Sequence, residues 1–187
     1  MAVTNKPFAQ INAFSMQNGL IVGVWALLAG WALVESFTYS LLSLVYLFMM
    51  LFTPILLFGL TRHFRRVVAP QGVFTLTQGF LHSFLTSLYA STWMAIGVYV
   101  YLSYFDNGYF FDSYVAYFSR PEVKDLLAQS EVQQQLALSL QGMTIEEVVE
   151  GLRFVSPATY AMMIFYSNLM VAPLVSLLIG LFLKRMK

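Results

Sequence analysis

Residues Phe37 to Leu60 read FTYSLLSLVYLFMMLFTPILLFGL, without one charged side chain. About 20 apolar residues in a helix cross the ~30 Å hydrocarbon layer of a bilayer. The run is continuously apolar rather than alternating at period two, so a strand is a poor alternative. Three more segments have the same character: Asn12 to Val34, Val73 to Tyr104 and Pro157 to Leu183. The third would be about 48 Å long at 1.5 Å per residue, so it must tilt or protrude. A cleaved leader is not expected, because Lys6 is the only early charge and the apolar run from Leu20 is too long for one.

Composition agrees. Of 187 residues, 59% are hydrophobic and 10% charged, with a mean hydropathy of +0.70. Soluble domains carry about 25% charged residues. A water-solvated domain of this size still exposes roughly 30% of its unfolded surface, too much for this composition. A soluble enzyme and a disordered chain are excluded. With no cysteine there is no disulfide, thiolate metal site or Cys nucleophile. The expected fold is all-α, a polytopic membrane protein of four transmembrane helices. It divides into 1–104 (helices one to three), 105–156 (an external, short-helical insert) and 157–187 (helix four with a basic tail).

Charge orients the bundle. Lys6, Arg62, Arg65, Arg66, Lys184, Arg185 and Lys187 flank one side with no acid among them. All nine acids fall on the other: Glu35, then Asp106, Asp112, Glu122, Asp125, Glu131, Glu146, Glu147 and Glu150, against Arg120, Lys124 and Arg153. The positive-inside rule therefore places both termini in the cytoplasm.

The insert carries local signals. Ser119-Arg120-Pro121-Glu122 and Thr144-Ile145-Glu146-Glu147 read as capping boxes, and Gly142 as the end of a Gln-rich helix containing Gln133, Gln134 and Gln135. Ile145, Val148, Val149 and Leu152 share one apolar face, as in an amphipathic cover lying on the membrane or the helix ends. Ser156-Pro157 supplies the N-cap and first residue of the last span. Ten aromatic residues fall between Tyr99 and Phe118, the pattern of an interfacial belt. Asp106-Asn107-Gly108 reads as a turn and lacks the spacing of a calcium loop.

Small residues recur at helical spacing: Gly19, Gly23, Ala26 and Gly30 in the first span, Gly79, Ser83, Ser87, Ser91 and Ala95 in the third, and Ala172, Ser176 and Gly180 in the fourth. Such stripes let helices approach closely where lipid offers no hydrophobic driving force. Pro54 and Pro173 lie inside spans. His82, with Gln78 on its face, is the ionisable group deepest in a span. With Arg62, Arg65 and Arg66 it forms a candidate basic pocket for an anionic lipid headgroup. No catalytic, metal, cofactor or nucleic-acid constellation is present in the sequence, so an enzyme is not expected.

The stretch Arg62 to Tyr104, with its VFTLTQGF at 73–80, together with Met143-Thr144-Ile145-Glu146-Glu147 and the closing Leu181-Phe182-Leu183-Lys184-Arg185, resembles a small bacterial membrane family, domain of unknown function 4199. The resemblance implies a four-span inner-membrane protein, often encoded beside polyprenyl-phosphate glycosyltransferases, and brings no activity with it. The expected role is an accessory or scaffold subunit for a membrane-protein partner or a homo-oligomer. A small transporter or lipid flippase using a cleft between helices is the alternative.

Overall fold

The computed structural model describes residues 6–128 and 142–185. Among them are seven α-helices and no strand: α1 (Lys6–Ser36), α2 (Leu41–Val68), α3 (Leu76–Val100), α4 (Tyr109–Phe118), α5 (Pro121–Leu127), α6 (Ile145–Arg153) and α7 (Pro157–Leu183). Four are long and apolar enough to cross a membrane: α1, α2, α3 with its extension to Phe105, and α7. The protein is an all-α, multi-pass membrane-type bundle.

Helix ends differ from the apolar runs where local chemistry overrides hydropathy. The second span was expected over Phe37 to Leu60, but α2 starts at Leu41 and continues through Arg62, Arg65 and Arg66. Arginine is a good helix former, and its long stem lets the charge leave the apolar layer without ending the helix. α3 starts three residues later than expected because Thr75 and Gln78 close a capping box. Thr75 Oγ1 accepts from Gln78 N at 3.2 Å, and Gln78 Oε1 accepts from Thr75 N at 2.9 Å. α7 starts after Ser156, whose hydroxyl accepts from Thr159 N.

α3 is the central helix, with α1 and α7 against it and α2 leaning mainly on α1. The α1–α3 contact rests on Gly19 and Gly23. A methyl group at Gly19 would collide with Tyr89, and one at Gly23 would lie 2.8 Å from Trp93 Cβ. The α3–α7 contact rests on Gly79, which would place a Cβ 3.0 Å from Gly180 Cα. That antiparallel crossing sets Ser83 opposite Ser176 and Ser87 opposite Ala172 in register. Ser83, Ser176, Ala172 and Ser91 are buried. Ser83, Ser87 and Ser91 each donate back to the carbonyl four residues earlier, so their hydroxyls are satisfied within α3.

Gly30 is a correction to the expected stripe, for no atom lies within 4 Å of where its Cβ would be. One turn earlier the requirement has passed to the other helix, where Leu27 occupies the space over Gly97. Gly97, not Gly30, completes the contact.

At one end α1, α2, α7 and the α2–α3 loop meet in a core of Ile11, Leu57, Phe64, Phe74, Ile179 and Leu183, with Leu81 and Leu85 of α3 packed against it. The α2–α3 loop is pinned there to the end of α7 by paired backbone bonds between Phe74 and Arg185. Arg62, Arg65, Arg66, Lys184 and Arg185 rim this end. The acids among the described residues and α4 to α6 lie at the other.

One expectation for the insert is revised. Ser119 ends α4, and Arg120 precedes α5 with no side-chain cap, so Ser119-Arg120-Pro121-Glu122 is not a capping box. Arg120 Nη2 instead donates to the Phe37 carbonyl at 2.6 Å. Within the aromatic run, Phe110, Tyr114 and Tyr117 surround the Phe37 ring at centroid distances of 5.3–5.9 Å, while Tyr99, Tyr104 and Phe105 are exposed. The Thr144–Glu147 capping box is formed. The Gln-rich segment lies outside the described residues.

Candidate functional sites at the two ends

The buried polar centre near the basic end is built from three helices. His82 on α3 is fully buried, its ring stacked on Phe64 of α2 at 4.3 Å and 8°. Thr61 Oγ1 lies 3.1 Å from His82 Nδ1 and donates to the Leu57 carbonyl at 2.9 Å. A hydroxyl has one proton, so Nδ1 must be the donor towards Thr61. Nε2 then accepts from Asn18 Nδ2 at 3.0 Å. The His82 carbonyl accepts from both Ser15 Oγ and Thr86 Oγ1. A turn away, Tyr89 donates to Asn12 Oδ1 at 2.7 Å. Every polar atom of the imidazole is spent inside the bundle.

That accounting breaks up the basic pocket expected from sequence. His82 has no ring nitrogen left for a headgroup. Gln78 caps α3. Arg65 donates through Nη1 to the Leu183 carbonyl at 3.0 Å, clamping α2 to the end of α7. Arg62 and Arg66 are exposed and point away from the side of α2 that carries Leu57, Thr61 and Phe64. The structure therefore brings Arg65 to α7 and leaves the other two arginines on the outer rim.

At the acidic end α3 does not finish as an α-helix. Tyr101–Phe105 form a π-turn closed by Asp106 N on the Tyr101 carbonyl. The chain then reverses through Asn107 and Gly108, both at positive φ (45° and 87°). Asp106 is 4% exposed; its Oδ2 accepts from Gly108 N at 3.0 Å and its Oδ1 from Phe110 N at 2.9 Å, which starts α4. Facing this turn, Arg153 at the end of α6 pairs with Asp112 of α4 and lies over the Phe111 ring. The bond to Asp112 raises the Arg153 pKa above its ordinary value. A raised base loses its stabilising contribution only as pH climbs through that value, so the pair is insensitive to Arg153 titration at any working pH. Leu102, Asp106, Phe111, Arg153, Val155 and Tyr160 border a half-open recess of about 230 Å³. In the sequence Asp106 is a turn residue and Arg153 one of three basic residues among the acids. Their convergence depends on packing 47 residues apart, which no local pattern announces.

Among the described residues no three His, Asp or Glu side chains stand together as metal ligands would. A family described as protein of unknown function (DUF4199) matches residues 14–185. The chain belongs to that family. The match takes in α2, α3 and α7 of this DUF4199 chain, α1 from Phe14 onward, the His82 centre and the acidic-end recess. No curated protein and no solved structure matches the chain.

Proposed function

We propose that this DUF4199 chain is a non-catalytic accessory or scaffold subunit of a bacterial inner membrane, with both termini cytoplasmic and a membrane-protein partner. The partner class that the family resemblance favours is machinery handling lipid-linked sugars. One observation carries the reading: the polar centre at His82 is closed. Its buried histidine is saturated by Asn18 and Thr61, and α3 and α7 touch through the Gly79–Gly180 backbone contact, so among the described residues the polar groups around His82 line no path between these helices. A transporter or flippase needs such a path. The basic rim of Arg62, Arg66, Lys184 and Arg185 supports contact with an anionic leaflet on that side.

Two measurements test the proposal together. Purified protein in sealed vesicles should move fluorescent phospholipid between leaflets no faster than protein-free vesicles. A photo-crosslinking residue at Phe154, which is 88% exposed, should capture one defined membrane protein at native expression level. Accelerated lipid exchange, or adducts with lipid alone, overturns the scaffold reading in favour of transport.

A further inference from the structure

The acidic-end recess differs from the rest of the molecule in leaving charged groups incompletely matched. Asp106 accepts from two backbone N–H groups and has the Tyr101 hydroxyl as a side-chain partner, which leaves part of its acceptor capacity open, and among the described residues no cation lies within ion-pair distance of it. Arg153 Nε is enclosed and has no acceptor in line; Glu150 Oε1 is 3.1 Å away but outside hydrogen-bond geometry. A partly exposed arginine, 29% accessible with its Nε enclosed, and a buried acid thus border one space. An enclosed unmatched donor and a buried carboxylate with open lone pairs are both costly unless a ligand completes them.

We propose that this recess holds the headgroup of an ethanolamine phospholipid, its ammonium towards Asp106 and its phosphate towards Arg153. Four features select that chemistry. At about 230 Å³ the space lies below the range for drug-sized ligands and suits a headgroup. The recess sits where α3 and α7 end, with Leu102 and Val155 on its wall, so a bound headgroup has its acyl chains beside the long helices. Asp106, Asp112 and Glu150 outnumber Arg153, which disfavours a net anion. Asp106 offers acceptor sites that an ammonium N–H fills and a trimethylammonium cannot. The backbone agrees: a π-turn and a positive-φ asparagine adjoin the recess, and such irregularities cluster at binding sites. The site is independent of the scaffold reading, because neither transport nor a partner enters the argument.

The test is thermal unfolding of delipidated protein in detergent, titrated separately with dioleoyl phosphatidylethanolamine, phosphatidylcholine and phosphatidylglycerol. The ethanolamine lipid should raise Tm on the order of 5–10 °C near saturation, and the other two by less than half as much. Soluble phosphoethanolamine at the same concentration should give only a minor shift; a shift equal to the lipid's overturns the assignment to a membrane lipid. Asp106→Asn should lose the ethanolamine-specific increment. Because Asp106 also caps α4, Val155→Trp serves as a second variant that fills the recess without touching a charge, and it should lose the increment too. Equal shifts from all three lipids, or a full increment in Val155→Trp, overturn the proposal.

Discussion

The two ends of the bundle solve the same problem in opposite ways. At the basic end a histidine, a threonine and an asparagine are buried together, and both ring nitrogens of the histidine are hydrogen-bonded. At the acidic end a buried aspartate and an arginine share a half-open space with bonding capacity left over. Buried polar groups are common to both, so polarity inside a membrane bundle does not by itself mark a site. What differs is whether the valences are filled. A satisfied network fixes helices relative to one another, whereas an unsatisfied one is poised for something else to bind.

The largest effect that would break this comparison is at His82. His82→Ala removes an aromatic ring stacked on Phe64 and strands Asn18 and Thr61 in the bundle. Its unfolding free energy in detergent should fall by about 3–5 kcal/mol. A loss near zero would mean that the basic end is as loosely satisfied as the acidic end, and the contrast would disappear.

A smaller effect sharpens the packing side. Gly180→Ala would place a methyl 3.0 Å from the Leu76 carbonyl oxygen and Phe80 nitrogen, both backbone atoms that cannot rotate away. It should cost about 1–3 kcal/mol through overpacking. Gly30→Ala meets nothing within 4 Å and should leave stability unchanged or raise it by up to about 1 kcal/mol, since alanine is the better helix former. Equal losses in the two variants would show that glycine matters here for helix flexibility rather than for close approach.

The comparison also explains what a sequence can and cannot say. The four long helices were legible because a bilayer demands about 20 apolar residues per crossing, and Phe37 to Leu60 could hardly do anything else. The capping chemistry was legible at Thr144 and Ser156, where the side chain bonds within its own turn. It failed at Ser119, because Arg120 is drawn to the Phe37 carbonyl 83 residues away. Of the small-residue stripes, Gly79 and Gly180 lie in the contact while Gly30 does not, since periodicity gives a face but not the point where the neighbour departs. His82 was visible as an ionisable group in a span. Its partners were not, for Asn18 and Thr61 become neighbours only once three helices are assembled. The acidic-end recess was the least legible part, because it depends on Arg153 crossing to Asp112 and on a π-turn that no residue pattern specifies.

The claim beneath this contrast is that the two ends lie on opposite sides of one membrane. The chain has no cysteine, so single-cysteine variants report sidedness without background. Gly72→Cys lies in the exposed α2–α3 loop of the basic end, with no atom within 4 Å of its Cβ, and Phe154→Cys lies exposed at the acidic end. In intact spheroplasts a membrane-impermeant maleimide should label position 154 and leave position 72 unlabelled until the membrane is permeabilised. Labelling of both positions before permeabilisation would contradict the four-span arrangement.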